Sequence, residues 1–218
     1  MKKFNLLGSV CLLAFAFLMF VVPTTQAQSK SVIKAVKKEA KQEAKRLKKE
    51  NWELVGIGSL EGVITDALMK IRVEGYISYP ITLTDQAKAL DAQKVARANA
   101  MNAYASEVAG EIESVLTTMT DGIPQAAVEQ IKDNLTLYSK IGINGQLREA
   151  YTLLRKVGSK YEVQTNFLLN PNDDYEVKIR ALQQAISIAN LNAEVSEALI
   201  KQVESQAKKK KAESAVAE

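Results

Sequence analysis

Leu147-Arg148-Glu149-Ala150-Tyr151-Thr152-Leu153-Leu154, then Val157-Gly158-Ser159-Lys160, then Tyr161-Glu162-Val163-Gln164-Thr165-Asn166-Phe167-Leu168-Leu169 decide the fold. Leu147, Glu149, Tyr151 and Leu153 alternate with their neighbours, as do Tyr161, Val163, Thr165, Phe167 and Leu169. Two runs of strand formers with period two around a short Gly-Ser turn predict a β-hairpin. Asn170-Pro171-Asn172 then takes the chain out of the sheet. Asp173 and Glu176, at capping-box spacing, predict the start of a helix carrying Ile179, Leu182, Ile186 and Ala189. Asn190 and Asn192 interrupt it before Val195, Leu199 and Val203 resume.

Upstream of the hairpin the period is helical. Pro124 opens a helix to about Tyr138 with Val128, Ile131, Leu135 and Tyr138 on one side. Before it, an alanine-rich helix runs from about Asp85 to Leu116, with Val95, Ala98, Met101, Ala105, Val108, Ile112 and Val115 as its expected buried stripe. Tyr76 to Leu83 is read as extended, and Pro80, which cannot donate to a ladder, places it near a sheet edge. Ser59 caps a helix whose apolar face is Leu60, Val63, Ile64, Ala67, Leu68 and Ile71. A strand through Met69, Ile71 and Val73 fits the end of that segment as well, and Gly75 closes either version. Trp52 to Val55 alternates as a short strand. The fold class expected is α+β: a small antiparallel sheet of about three strands, including the C-terminal hairpin, packed against long helices lying mainly on one face.

The N-terminal part separates from this body by charge. From Lys30 to Asn51 nine Lys/Arg face only Glu39, Glu43 and Glu50, whereas residues 52–207 hold 14 basic against 20 acidic side chains. Ile33, Val36, Ala40, Ala44 and Leu47 give residues 28–50 one apolar stripe, so the segment reads as a basic amphipathic helix with Ser31 near its start. Its lysines stand four apart at 34/38, 37/41, 41/45 and 45/49, where repulsion costs a few tenths of a kcal/mol per pair. A single domain is expected over 51–206. Residues 207–218, with Lys208 to Lys211 in a row, read as a disordered tail.

The chain begins Met1-Lys2-Lys3, runs apolar from Leu6 to Val22, and then reads Pro23-Thr24-Thr25-Gln26-Ala27. These are the charged, apolar and small-residue regions of a secretory signal, expected to be cleaved after Ala27. Cys11 lies inside the apolar run, with Leu12 to Val22 still ahead of it, so it is misplaced for a lipoprotein anchor. With no histidine in the chain and no other cysteine, residues 28–218 cannot build a disulfide, a thiol nucleophile, a Cys/His zinc site or a Ser-His-Asp triad. After cleavage no transmembrane segment is expected, and the location is periplasmic, outer-membrane associated or secreted.

The run from Lys37-Lys38-Glu39-Ala40-Lys41 through Lys45-Arg46-Leu47-Lys48-Lys49-Glu50-Asn51-Trp52 resembles the post-signal stretch of uncharacterised exported envelope proteins of Bacteroides type. The helix with Ala96-Arg97-Ala98-Asn99-Ala100 and the hairpin after it resemble the Helicobacter-type small outer-membrane lipoprotein family. The chain departs from these in lacking a lipobox cysteine and in having Asn51 where glycine is usual. The resemblance implies a compact α+β domain, an envelope location and no catalytic residue to carry over.

Three constellations could carry chemistry. Glu107 and Glu111, four apart on the long helix, form a carboxylate pair such as a hydrolase of envelope glycans could use, but with no companion motif an exposed polar face opposite the apolar stripe explains them better. Asn170, Asn172, Asp174 and Glu176 alternate oxygen ligands as a calcium loop begins, yet lack its glycine and distal glutamate; a turn and helix cap account for them. Gly56 and Gly58 before Ser59 form only part of a nucleotide loop. The expectation is therefore no enzyme, no metal and no cofactor. The candidate binding residues are Lys34, Lys37, Lys38, Lys41, Lys45, Arg46, Lys48 and Lys49. They suit lipid phosphates, an acidic polysaccharide, an envelope protein or the acidic body of their own domain, and a merely solvated helix is the plain alternative. Nucleic acid is not expected, since no aromatics interleave with the lysines. The function expected is that of an envelope binding or scaffold protein, with a homo-oligomeric structural role as a further reading.

Overall fold

A four-stranded antiparallel sheet, in the order β1-β3-β4-β2, organises the chain. The computed structural model describes residues 26–119 and 123–216, with side chains for 30–119 and 123–205. The apolar run from Leu6 to Val22, with Cys11 and the signal sequence expected there, lies outside the described residues. The elements are α1 (Gln26–Lys49), β1 (Glu53–Val55), α2 (Leu60–Val73), β2 (Ile77–Gln86), α3 (Ala89–Thr118), α4 (Gln125–Ile143), β3 (Arg148–Val157), β4 (Lys160–Leu169), α5 (Pro171–Ala189) and α6 (Ala193–Val216). The class is α+β, as the sequence implied. None of the described helices is long and apolar enough to cross a membrane.

The hairpin forms as its residues dictate. Val157 pairs with Lys160 across a two-residue turn, and Gly158 takes φ +63°, a value side chains resist. Register shifts once between Glu149 and Tyr151, which leaves Ala150 as the extra residue of a bulge and turns Glu149 and Thr152 to the same face. Thr152 and Thr165 hydroxyls meet there at 3.0 Å, and Thr152 also donates to Glu149 at 2.6 Å. Pro80 does lie on an edge strand, β2.

Helices cover both faces of the sheet, not mainly one. On the first face Tyr79, Phe167 and Leu169 pack with α3, α4, α5 and α6 through Ala96, Ala100, Ile131, Leu135, Leu182 and Leu199. On the second, Leu153 packs with Trp52, with Ala40, Ala44 and Leu47 of α1, and with Leu60 and Ile64 of α2. The boundary expected at residue 51 is thus corrected: the basic helix supplies core residues, and Val36 and Ala40 are essentially inaccessible. Its end is a Schellman motif in which Trp52 N–H donates to the Leu47 carbonyl at 2.9 Å and Asn51 N–H to Lys48 at 3.2 Å. Asn51 sits at φ +60°, which asparagine tolerates better than most other side chains.

Three further expectations shift. In the first half of α3 the buried face is Ala92, Ala96, Ala100 and Tyr104, while Val95 and Ala98 face solvent. Alanines let the helix lie close on the Tyr79 and Phe167 rings, a gain that outweighs hiding one valine. Helix α5 starts at Pro171 with Asn170 as cap, accepting from Asn172 N–H at 2.8 Å, so Asp173 is first-turn rather than capping. The lysine-rich end expected to lack structure continues α6 to Val216, consistent with the helix propensity of Ala, Lys and Glu in a run free of Gly and Pro. Ser59 caps α2 as read, accepting from Gly62 N–H at 3.0 Å, and residues 69–73 are helical, not a strand.

Candidate basic surface and a buried ion cluster

Helix α1 divides its residues by angle. At about 100° per residue, Lys30, Lys34, Lys37, Lys38, Lys41, Lys45, Lys48 and Lys49 fall within an arc of about 120°, and over 30–49 only Ser31 shares it. All eight are exposed. Along the axis they extend for about 28 Å. The helix's acids gather on another flank and are occupied there: Glu43 and Glu50 hold Arg46, and Glu39 holds Arg72 of α2 at 3.0 Å. Among the described residues, none of these lysines has an ion-pair partner.

Of the eight predicted binding residues, then, seven lysines form one ridge and Arg46 does not join them. Its guanidinium bridges Glu43 and Glu50 and is held above its already high range, chiefly by the hydrogen bond to Glu43. Lys30, counted in the basic segment but not among the candidate binding residues, belongs to the ridge as well; its helical angle is the signal that places it there. Val36, Ala40, Ala44 and Leu47 fix this face by burying the other. The ridge is a straight, convex line of point charges attached to a packed body.

The carboxylates weighed as a catalytic pair have separate partners. Glu107 accepts from Tyr79 Oη at 2.9 Å, whereas Glu111 meets Lys178 Nζ at 3.0 Å. Lys178 also meets Asp174 at 3.0 Å, and Tyr104 Oη reaches the Asp174 carbonyl at 3.4 Å. Tyr79 and Tyr104 stack edge to face, with centroids 6.1 Å apart. The sequence does not single out Lys178 or the two tyrosines, and it shows Asp174 only within a calcium-like run, because only the packing of α5 on α3 and β2 unites them. The calcium-like run supplies Asn170 to a helix cap and Asp174 to this cluster. Among the described residues no group of three acidic side chains is placed to hold a metal ion.

Burial sets the protonation of this cluster. It pushes the Asp174 carboxyl up despite the neighbouring Lys178, and Asp174 Oδ1 has no hydrogen-bond partner. Burial alone would lower Lys178, but Asp174 and Glu111 together outweigh it and hold the ammonium charged, above its ordinary range. Burial, then Glu107 for Tyr79 and Asp174 for Tyr104, pushes both phenols well above the usual tyrosine range. The unfolded chain releases these phenol and ammonium protons near pH 10, whereas the folded chain keeps them. Folded protein therefore binds more protons there, and stability falls as pH rises, by about 1.4 kcal/mol per group per pH unit. In an alkaline titration part of the tyrosinate absorbance should appear together with the loss of circular dichroism; complete ionisation of the tyrosines before unfolding would contradict the arrangement.

No family model, curated protein or solved structure matches the chain.

Proposed function

We propose that the protein is a non-catalytic binding or scaffold protein of the cell envelope that holds to anionic surfaces through the lysine ridge of α1. One observation carries this reading: eight exposed lysines share a single arc of a helix whose acids are paired on another flank and whose remaining face is core. A merely solvating helix would gain by interspersing its acids among the lysines; here the like charges are concentrated and repel, so an anion relieves strain that the fold maintains. The signal-like leader and the resemblance of residues 37–52 to post-signal stretches support an envelope location. The occupied carboxylates Glu107 and Glu111 favour this reading over a glycan hydrolase.

Retention on immobilised dextran sulfate tests it. Each lysine near an anionic surface is worth about fivefold in affinity at low salt. Replacing Lys37, Lys41, Lys45 and Lys48 together by Gln should weaken binding by 10²-fold or more, on the order of that factor compounded. Substituting four exposed lysines from the acidic body, Lys88, Lys94, Lys156 and Lys160, should matter far less. Equal losses from both sets would remove the ridge from the account.

A further inference from the structure

Between α4 and β3 the chain turns on Ile143-Asn144-Gly145-Gln146, and Asn144-Gly145 is the one Asn-Gly pair in the sequence. Asn144 at φ −63°, ψ 119°, Gly145 at φ +93° and the Gln146 N–H bond to the Ile143 carbonyl at 3.0 Å define a type II turn, whose third position favours glycine. Residues 144–146 are exposed, whereas Ile143 and Leu147 on either side are buried. Among the described residues no hydrogen bond engages the Asn144 carboxamide or the Gly145 N–H. A Cβ on Gly145 would meet nothing within 4 Å, so the space beside the pair is open. Other asparagines differ. Asn134 donates to the Gln130 carbonyl at 2.7 Å, Asn166 accepts from Ser78 at 2.8 Å, and Asn192 from Val195 N–H at 2.8 Å. Asn51 precedes Trp52, whose N–H is bonded to the Leu47 carbonyl, and Asn190 precedes the bulky Leu191.

We infer that this turn is a site of spontaneous covalent modification, at which Asn144 deamidates through a succinimide to aspartate and isoaspartate. The Gly145 nitrogen, its proton given up to solvent base, attacks Asn144 Cγ. The Cγ–N bond forms, the Cγ–Nδ2 bond breaks, and ammonia leaves with a proton from water. Water then opens the ring at either carbonyl. Attack at Cγ restores the ordinary backbone as aspartate; attack at the main-chain carbonyl leaves the peptide link running through Cγ, as isoaspartate. No electrons change hands, and water is the only co-reactant. At ψ 119° the Gly145 nitrogen is turned away from Cγ, so ring closure needs rotation about the Asn144 Cα–C bond and loss of the Gln146–Ile143 hydrogen bond. Glycine, without a Cβ, resists that rotation least. Either product sets a carboxylate just past the C-terminal end of α4, where the free carbonyls already gather negative partial charge.

Trypsin cleaves after Lys140 and Arg148, which isolates Asn144-Gly145 in a single peptide, residues 141–148. The purified protein is held at mildly alkaline pH, with circular dichroism confirming that it stays folded, and is sampled over days beside the synthetic peptide 141–148. Freshly prepared protein, digested in parallel, gives the baseline. The expected result is the amide-to-acid mass gain at position 144, with aspartate and isoaspartate forms resolved by chromatography, ahead of any gain in the peptides that carry Asn51 or Asn190. The folded turn should slow the reaction by about tenfold or less relative to the synthetic peptide, the factor that one net hydrogen bond is worth. Isoaspartyl methyltransferase should label the 141–148 peptide from aged protein, and the same peptide from the Asn144→Gln variant should show neither label nor mass gain. No conversion at position 144 while the synthetic peptide converts means that the folded turn seals the pair, and overturns the proposal. A gain that persists in Asn144→Gln, or equal conversion at Asn51 and Asn190, puts the chemistry elsewhere and overturns it as well.

Discussion

Replacing Lys178 by alanine should destabilise the protein by about 3–5 kcal/mol, the range for removing one partner of a buried ion pair. Lys178 keeps only 9% of its side-chain surface exposed, and Asp174 14%. Without the ammonium, Asp174 and Glu111 face each other unneutralised, and Asp174 already has one oxygen without a hydrogen bond. The measurement is the urea midpoint at neutral pH, with the unfolding slope unchanged. In that variant the Asp174 carboxyl, already raised by burial, should rise further. A raised carboxyl binds its proton more tightly when folded, so the variant should regain stability as pH falls from that raised value toward the ordinary carboxylate range. The pair Lys178→Met with Asp174→Leu, which removes both charges and keeps much of the volume, should recover most of the loss. A loss from Lys178→Ala below about 1 kcal/mol, typical of an exposed pair, would mean that water reaches the cluster.

Leu47→Ala should cost about 2–5 kcal/mol, while Lys45→Gln, two residues earlier on the same helix, should cost nothing measurable or gain a few tenths by easing repulsion. Leu47 is 2% exposed and packs in the cluster of Trp52, Leu60, Ile64 and Leu153. It also supplies the carbonyl that Trp52 N–H caps, so the void would open where the helix ends and β1 begins. Chemical denaturation of the two variants side by side gives the comparison. It bears on function as well as fold: a ridge held by a docked helix presents its charges in fixed order, and lysine substitutions can then be read as losses of binding rather than of structure. Equal stability of Leu47→Ala and the parent chain would show α1 detached from the sheet.

Much of this was legible locally. The Gly158-Ser159 hairpin, the Ser59 cap and the edge position of Pro80 each depend on a few neighbouring residues. Period and turn chemistry act over such short ranges, so the sequence suffices. The α3 stripe was read correctly from Ala105 to Val115 and misplaced before it, because hydrophobicity favoured Val95 where the sheet required the smaller Ala92, Ala96 and Ala100. Close approach to a ring is a property of the partner surface, and no periodicity within the helix records it.

The candidate site divides in the same way. That residues 30–49 form a basic helix with one apolar stripe was set by the sequence alone, since charge and helical period are local quantities. That the stripe is core and that Arg72 of α2 engages Glu39 were decided by tertiary packing. The same holds for the cluster of Tyr79, Tyr104, Glu107, Glu111, Asp174 and Lys178, drawn from three elements separated by up to a hundred residues. Burial energy is pooled over the whole chain, and which charges it encloses or leaves outside is fixed only when distant faces meet.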